Sequence, residues 1–219
     1  MIKVFFVITA CLESKRRPRT LEEKNIREKQ YREGIGQAIE WAQTRPQVHV
    51  VIVENNGKRR TFLDDLGVPV LYTCNNTLPT TNIGTKELQD IRDSIEHFEM
   101  QDEDFLIKMT GRYKLKTDSK FLHHVDELVR TRKECIIHHG SYEDAKLGKT
   151  HFNGRDCITG LIGMTVKHII MIPFPKTNWE WVEWCWARAS NRIDPSKKIS
   201  MLEPLGILIC PGTNDYFLA

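Results

Sequence analysis

Thr177-Asn178-Trp179-Glu180-Trp181-Val182-Glu183-Trp184 sets two carboxylates among closely spaced tryptophans. On a helix Glu180 and Glu183, three apart, share a face. Indoles that exclude water raise a carboxylate's pKa, which suits a general base. Thr177 and Glu180 also have capping-box spacing, which gives Glu180 a structural task and leaves Glu183 as the first base candidate. Asp156, in the turn Asn153-Gly154-Arg155-Asp156 ahead of a glycine-bearing apolar run, is the second.

Three further stretches carry groups suited to a polar, anionic ligand. Glu54-Asn55-Asn56 offers a carboxylate and two amides that could hydrogen-bond a base or a ribose, although Asn-Gly also forms a tight turn unaided. Asn82-Ile83-Gly84-Thr85-Lys86 opens a helix, where backbone N–H groups and the Lys86 charge attract anions; capping by Thr85 is the simpler role. Neither a P-loop nor a GxGxxG pattern is present. The run Phe105 to Met109 breaks at Thr110-Gly111 and delivers Arg112 and Tyr113, with Gly111 permitting close backbone approach. Asp102-Glu103-Asp104 spells DxD, a pattern that holds divalent cations, but it precedes its strand and reads as a surface turn. His123-His124 and His138-His139 are neighbours in sequence, and adjacent strand residues face opposite ways, so they are poor chelators. The metal ligands therefore stay unknown.

The elements that would position these groups follow from periodicity. Apolar strands are expected at Ile2–Thr9, Val48–Val53, Val68–Tyr72 and Phe105–Met109, separated by helices at Thr20–Thr44, Thr61–Leu66 and Thr85–Met100. The alternation implies a mainly parallel, Rossmann-like α/β sheet flanked by helices, with ligands at the carboxyl ends of its strands. The strand over 105–109 is then central, and Thr9 ends the strand beside it. Beyond Tyr113 the pattern predicts a helix from Ser119 to Arg130 capped by Asp118, and a short strand at Cys135–His138. A loop at 141–156, a strand over Cys157–Val166, a tryptophan-rich helix at Thr177–Ser190 and an irregular apolar tail complete the chain. One domain is expected over 1–219.

The chain has 219 residues and a net charge of +3, too weak to argue for nucleic acid. Its basic residues cluster at Lys15-Arg16-Arg17 with Arg19, and at Lys58-Arg59-Arg60, both after strands, which fits an anionic ligand such as phosphate. No run approaches the roughly 20 apolar residues of a membrane span. No signal-peptide pattern opens the sequence. The scattered cysteines form no CxxC pair, so reduced thiols and a cytoplasmic location are expected.

The order of Glu54-Asn55-Asn56-Gly57, Asn82–Leu88, Lys108–Tyr113, Trp181-Val182-Glu183-Trp184, Leu205-Gly206-Ile207 and Tyr216-Phe217 resembles the GT-A glycosyltransferases, above all the small single-domain enzymes of large DNA viruses. The resemblance implies a UDP- or GDP-sugar donor over residues 1–113 and a glycan acceptor over 114–219. Thr9 and Glu54 would lie near the nucleoside, and Asn82, Gly84 and Lys86 near the ribose or diphosphate, with Asn55, Thr110, Gly111 and Tyr113 also binding the donor. Glu183 would face the acceptor. Where GT-A enzymes end a strand in DxD, this chain has Thr110-Gly111-Arg112-Tyr113. That departure implies little or no need for Mn²⁺ or Mg²⁺, with Arg112 stabilising the leaving group. Sugar-nucleotide nucleotidyl transfer and a non-catalytic glycan- or nucleic-acid-binding module are the alternatives, the last requiring a continuous basic face.

Overall fold

A computed structural model describes residues 2–13, 19–147, 154–210 and 216–219. The first half alternates strand and helix: β1 (Val4–Ala10), α1 (Leu21–Gln43), β2 (Val48–Glu54), β3 (Val70–Tyr72), α2 (Ile83–His97) and β4 (Phe105–Thr110). The second half adds β5 (Lys114–Leu115), α3 (Lys120–Thr131), β6 (Cys135–His138), α4 (Tyr142–Lys146), β7 (Leu161–Thr165) and α5 (Val166–Ile169). It ends with α6 (Val182–Ser190), β8 (Lys198–Met201), β9 (Ile207–Ile209) and β10 (Phe217–Leu218).

Seven strands form one sheet in the order β3-β2-β1-β4-β7-β6-β8. β4 stands in the middle, as its run of apolar residues on both faces requires. β1, β2, β3 and β4 are parallel. β7 runs antiparallel to both β4 and β6, a reversal that the strand–helix alternation of the first half does not extend to. β5, β9 and β10 make a small second sheet.

Alternation along β4 assigns its side chains to two cores. Phe105, Ile107 and Met109 pack with Tyr31, Ile35 and Ala38 of α1 and Phe121 and Val125 of α3. Leu106 faces the other way, towards Leu88 and Ile91 of α2 and Val182 and Trp186 of α6. Two layers of helices thus enclose the sheet.

Several boundaries differ from expectation for identifiable reasons. α6 begins at Val182 instead of Thr177. The carbonyl of Glu180 accepts from Asn82 Nδ2 at 2.8 Å, and Trp181 is extended, so 177–181 forms a turn. Glu180 still caps that turn, accepting from Lys176 N at 2.6 Å while its own N–H donates to Thr177 Oγ1 at 3.1 Å. Glu180 and Glu183 therefore do not share a helix face. Ser119 caps α3 in place of Asp118, because its hydroxyl is fixed by Leu205 O at 2.6 Å. The segment expected as a loop contains α4, capped by Ser141. Residues 148–153, including Asn153, lie outside the described residues, as do Lys15, Arg16 and Arg17.

Candidate functional site

Register places Ala10 beside Glu54, Glu54 beside Tyr72 and Thr9 beside Thr110, so the parallel strands end along one edge. The antiparallel β7 starts at that same edge, where Thr110 N donates to Gly160 O at 3.0 Å.

At the centre of the edge lies Lys108. Its place in β4 directs it, like Leu106, to the α2–α6 face, and its side chain is 1% exposed. A buried ammonium is tolerated only with partners. Nζ lies 2.8 Å from Glu87 Oε1, 2.9 Å from Thr110 Oγ1 and 2.7 Å from Thr159 O. Glu87 comes from α2, and the same carboxylate oxygen accepts from the Thr9 hydroxyl at 2.6 Å. Neither Lys108 nor Glu87 stood out as a site residue in the sequence. A lysine inside an otherwise apolar strand was the available signal.

Glu183 stands in the first turn of α6, its Oε1 accepting from Thr159 Oγ1 at 3.3 Å. Burial raises its pKa above the ordinary carboxylate value; the Glu87 and Asp156 charges push the same way and Lys108 opposes them. Asp156 belongs to the same electrostatic neighbourhood. Burial raises it too, while Cys157 N donates to its Oδ1 at 2.8 Å. Both base candidates are therefore brought together. Tyr113 walls the site. Burial pushes its phenol up to about 12, so it stays neutral. A Cβ on Gly160 would meet Tyr113 Cε2 at 2.5 Å, so the glycine is what lets the ring lie against β7.

Arg112 goes elsewhere. Its Nη1 donates to Cys210 O at 3.1 Å, on the α1 side. Burial lowers the pKa of Arg27, and the charges of Arg112 and Arg19 lower it further, so the three cations are close. Arg27 donates to Cys11 O at 3.1 Å and 2.6 Å. The edge is thus basic on its α1 side and acidic on its α6 side.

The other sequence candidates brace this edge. The Glu54 carboxylate is fully buried and accepts from Leu12 N at 3.1 Å, Asn56 N at 3.0 Å and Arg59 Nη1 at 2.8 Å. Asn55 Nδ2 donates to Asp90 Oδ2 at 2.9 Å. Asn82, and not Thr85, caps α2, accepting from Thr85 N at 3.2 Å. Gly84 is the point of closest approach to α6, since a Cβ there would lie 2.4 Å from Val182 Cβ. Lys86 Nζ donates to Asn76 O at 2.8 Å. Gly111 packs on Ile8, where a Cβ would sit 2.9 Å from Cγ2. Asp104 N-terminal to β4 is also structural, accepting from Lys3 N and Gln101 N at 3.1 Å and 2.9 Å.

Between the starts of α2 and α6 a pocket of about 410 Å³ opens, lined by Asn82, Gly84, Glu87, Trp179, Trp181 and Glu183 among others. Of the carboxylates described above, Glu87 and Glu183 line it. Among the described residues no group of three or more His, Cys, Asp or Glu side chains is arranged to hold a metal ion. Glu87 is committed to Lys108, and β4 ends in residues without a carboxylate. Among those residues, which include all the cysteines, no disulfide forms. Among the described residues no helix is long and apolar enough to cross a membrane.

The sheet and its helices form the α/β fold of nucleotide-diphospho-sugar transferases and sugar nucleotidyltransferases. A mannosyltransferase of Pyrobaculum calidifontis, in complex with GDP-Man and Mn²⁺, aligns with a TM-score of 0.55 at 9% identity, over 91% of this chain and 54% of its own. This chain thus spans about half of that enzyme. A Bacillus anthracis protein assigned as a glucose-1-phosphate thymidylyltransferase gives 0.55 at 13% identity, over 90% and 86%. A Desulfovibrio desulfuricans protein assigned as a nucleotide-diphospho-sugar transferase gives 0.50 at 10% identity, over 92% and 80%. No protein-family model and no curated protein sequence matches the chain.

Proposed function

We propose that this protein is a glycosyltransferase that moves a sugar from a UDP- or GDP-sugar to a hydroxyl of a glycan acceptor. The observation that carries the reading is Glu183, a carboxylate made more basic by burial and opening into a pocket beside the Lys108–Glu87 pair. A base of raised pKa at a strand-end site is suited to proton abstraction near neutral pH. In an inverting reaction Glu183 takes the proton of the acceptor hydroxyl as its oxygen attacks the anomeric carbon and the nucleoside diphosphate departs. Asp156 is the alternative base.

The diphosphate belongs on the basic side of the edge, where Arg112 and Arg27 supply positive charge, with Lys86 at the start of α2 a further cation for the donor. Arg112 is already anchored by Cys210 O, so it is a fixed cation for the leaving group. Thr9, Thr110, Gly111 and Tyr113 line the turn between the two sides, and Glu54, Asn55, Asn82 and Gly84 hold its walls. No step is assigned to a metal ion.

The test is a thermal-shift screen of nucleotide sugars with and without Mn²⁺, followed by a transfer assay. Stabilisation by a UDP- or GDP-sugar supports the reading. Glu183→Gln should then lower kcat by about 10²–10⁴-fold, the usual loss for a general base, with donor binding kept. Full activity of that variant would exclude Glu183 as base. The similarity to the thymidylyltransferase keeps nucleotidyl transfer as the second reading, and stabilisation by a nucleoside triphosphate alone would favour it.

A further inference from the structure

The pocket between α2 and α6 carries a signature of its own. Trp179 is 87% exposed and Trp181 63% exposed, both on its wall. Large indoles left in water on one wall of a concave site mark a surface that a ligand covers. The pocket's 410 Å³ lies within the range of small-ligand sites, about 300–1,000 Å³. Its charged lining residues are Glu87, Glu180 and Glu183, with no lysine or arginine among them. Glu180 is paired with Arg188 and Glu87 with Lys108, whereas Glu183 has no ion-pair partner among the described residues.

We infer that this pocket is a subsite for an uncharged sugar ring, stacked by its apolar C–H face on Trp179 and Trp181, and that it rejects anionic sugars. An indole offers a flat, negative π-face that C–H groups approach favourably. Glu183 offers an acceptor for a ring hydroxyl. A uronate or phosphate at the same place would meet the Glu183 carboxylate, while the cations next to the pocket are already committed, Lys108 to Glu87 and Arg188 to Glu180, so like charge disfavours it. Cations gather instead on the α1 side, at Arg27 and Arg112, so a nucleoside diphosphate is directed away from the indoles. Naming the ring as the acceptor rests on the transferase reading above; the charge and stacking preference does not.

The experiment is a titration of protein isotope-labelled at its tryptophans, following the indole N–H signals of Trp41, Trp179, Trp181, Trp184 and Trp186. The probes are methyl glucoside, methyl galactoside, methyl mannoside and methyl glucuronide, each with and without UDP or GDP. At least one neutral glycoside should shift Trp179 and Trp181 while buried Trp186 stays still, at concentrations about tenfold or more below those needed by the glucuronide. Trp179→Ala, at an exposed position, should weaken the response to the neutral glycoside about tenfold. Equal binding of the glucuronide, no indole shift with any glycoside, or an unaltered affinity in Trp179→Ala would overturn the inference. Thermal shift by nucleotide sugars on the same samples separates the two proposals. Nucleotide-sugar binding with silent indoles sinks only the subsite, whereas neutral-glycoside binding with no nucleotide response sinks only the transferase.

Discussion

Replacing Glu87 by Met tests whether the Lys108–Glu87 pair holds the centre of the site together. At 2.8 Å the two charges attract by about 6 kcal/mol if the local dielectric constant is about 20. Desolvation of both groups offsets much of that, so the net worth of the pair is small, but its members are unequal. Lys108 is 1% exposed and has no route to water, whereas the Glu87 side chain is 23% exposed and keeps the Thr9 hydroxyl. Glu87→Met strands a buried ammonium and should cost about 3–5 kcal/mol. Lys108→Met leaves a carboxylate that can turn to solvent, and deprives Thr159 O of a donor, for about 1–2 kcal/mol. The double variant replaces the pair by apolar volume, so adding Lys108→Met to Glu87→Met should restore about 2–4 kcal/mol. Urea unfolding of the four proteins, with unchanged slopes, reads the cycle. A Glu87→Met protein within 1 kcal/mol of the parent, taking about 1 kcal/mol as the ceiling for a solvated pair, would refute the reasoning. So would a double variant less stable than Glu87→Met.

Three further outcomes are expected. Burial lifts Asp90 to about 7 against the hydrogen bonds of Thr73, Asn55 and Asn75 that lower it. The folded chain then keeps a proton that the unfolded chain loses above its ordinary value of 3.8, so this group's stabilising contribution falls as pH rises from about 4 to about 7 and is level beyond. Asp90→Asn should flatten that segment of the stability–pH curve, and an unchanged slope in chemical denaturation would count against it. Gly160→Ala should cost about 1–3 kcal/mol by overpacking against Tyr113, and Tyr113→Ala should relieve part of that in melting experiments. Once a donor and acceptor are found, transfer should persist in excess chelator; complete loss restored by Mn²⁺ would mean that the cationic side chains do not suffice.

Which parts of this were legible beforehand follows from the range over which each signal acts. The central strand was readable because burial on both faces leaves a local mark, the unbroken run at Phe105–Ile107 with Met109. The cap of α1, in which Thr20 accepts from Glu23 N and Glu23 reaches back, is a local signal of the same kind, since a capping box is complete within four residues. Glu183 and Asp156 were legible as carboxylates in apolar or turn settings. The roles of Glu54, Asn82 and Gly84 were not, because a polar residue at a strand end or helix start looks the same whether it faces a ligand or braces a neighbour. Glu54 meets Leu12 N, and Gly84 meets Val182, across long stretches of chain. The strand β7 was expected within Cys157–Val166, but its antiparallel direction was not legible for the same reason, since strand direction is set by connections and not by composition. Lys108 lies between these cases. A lysine between Ile107 and Met109 announces that some partner must exist, because the strand's own neighbours cannot solvate it. The announcement does not name Glu87, which comes from a helix that reaches β4 only once the sheet has ordered β1 between β2 and β4. The charge pair is therefore a product of topology. A substitution that moved α2, such as a side chain at Gly84, would unmake it without touching either residue.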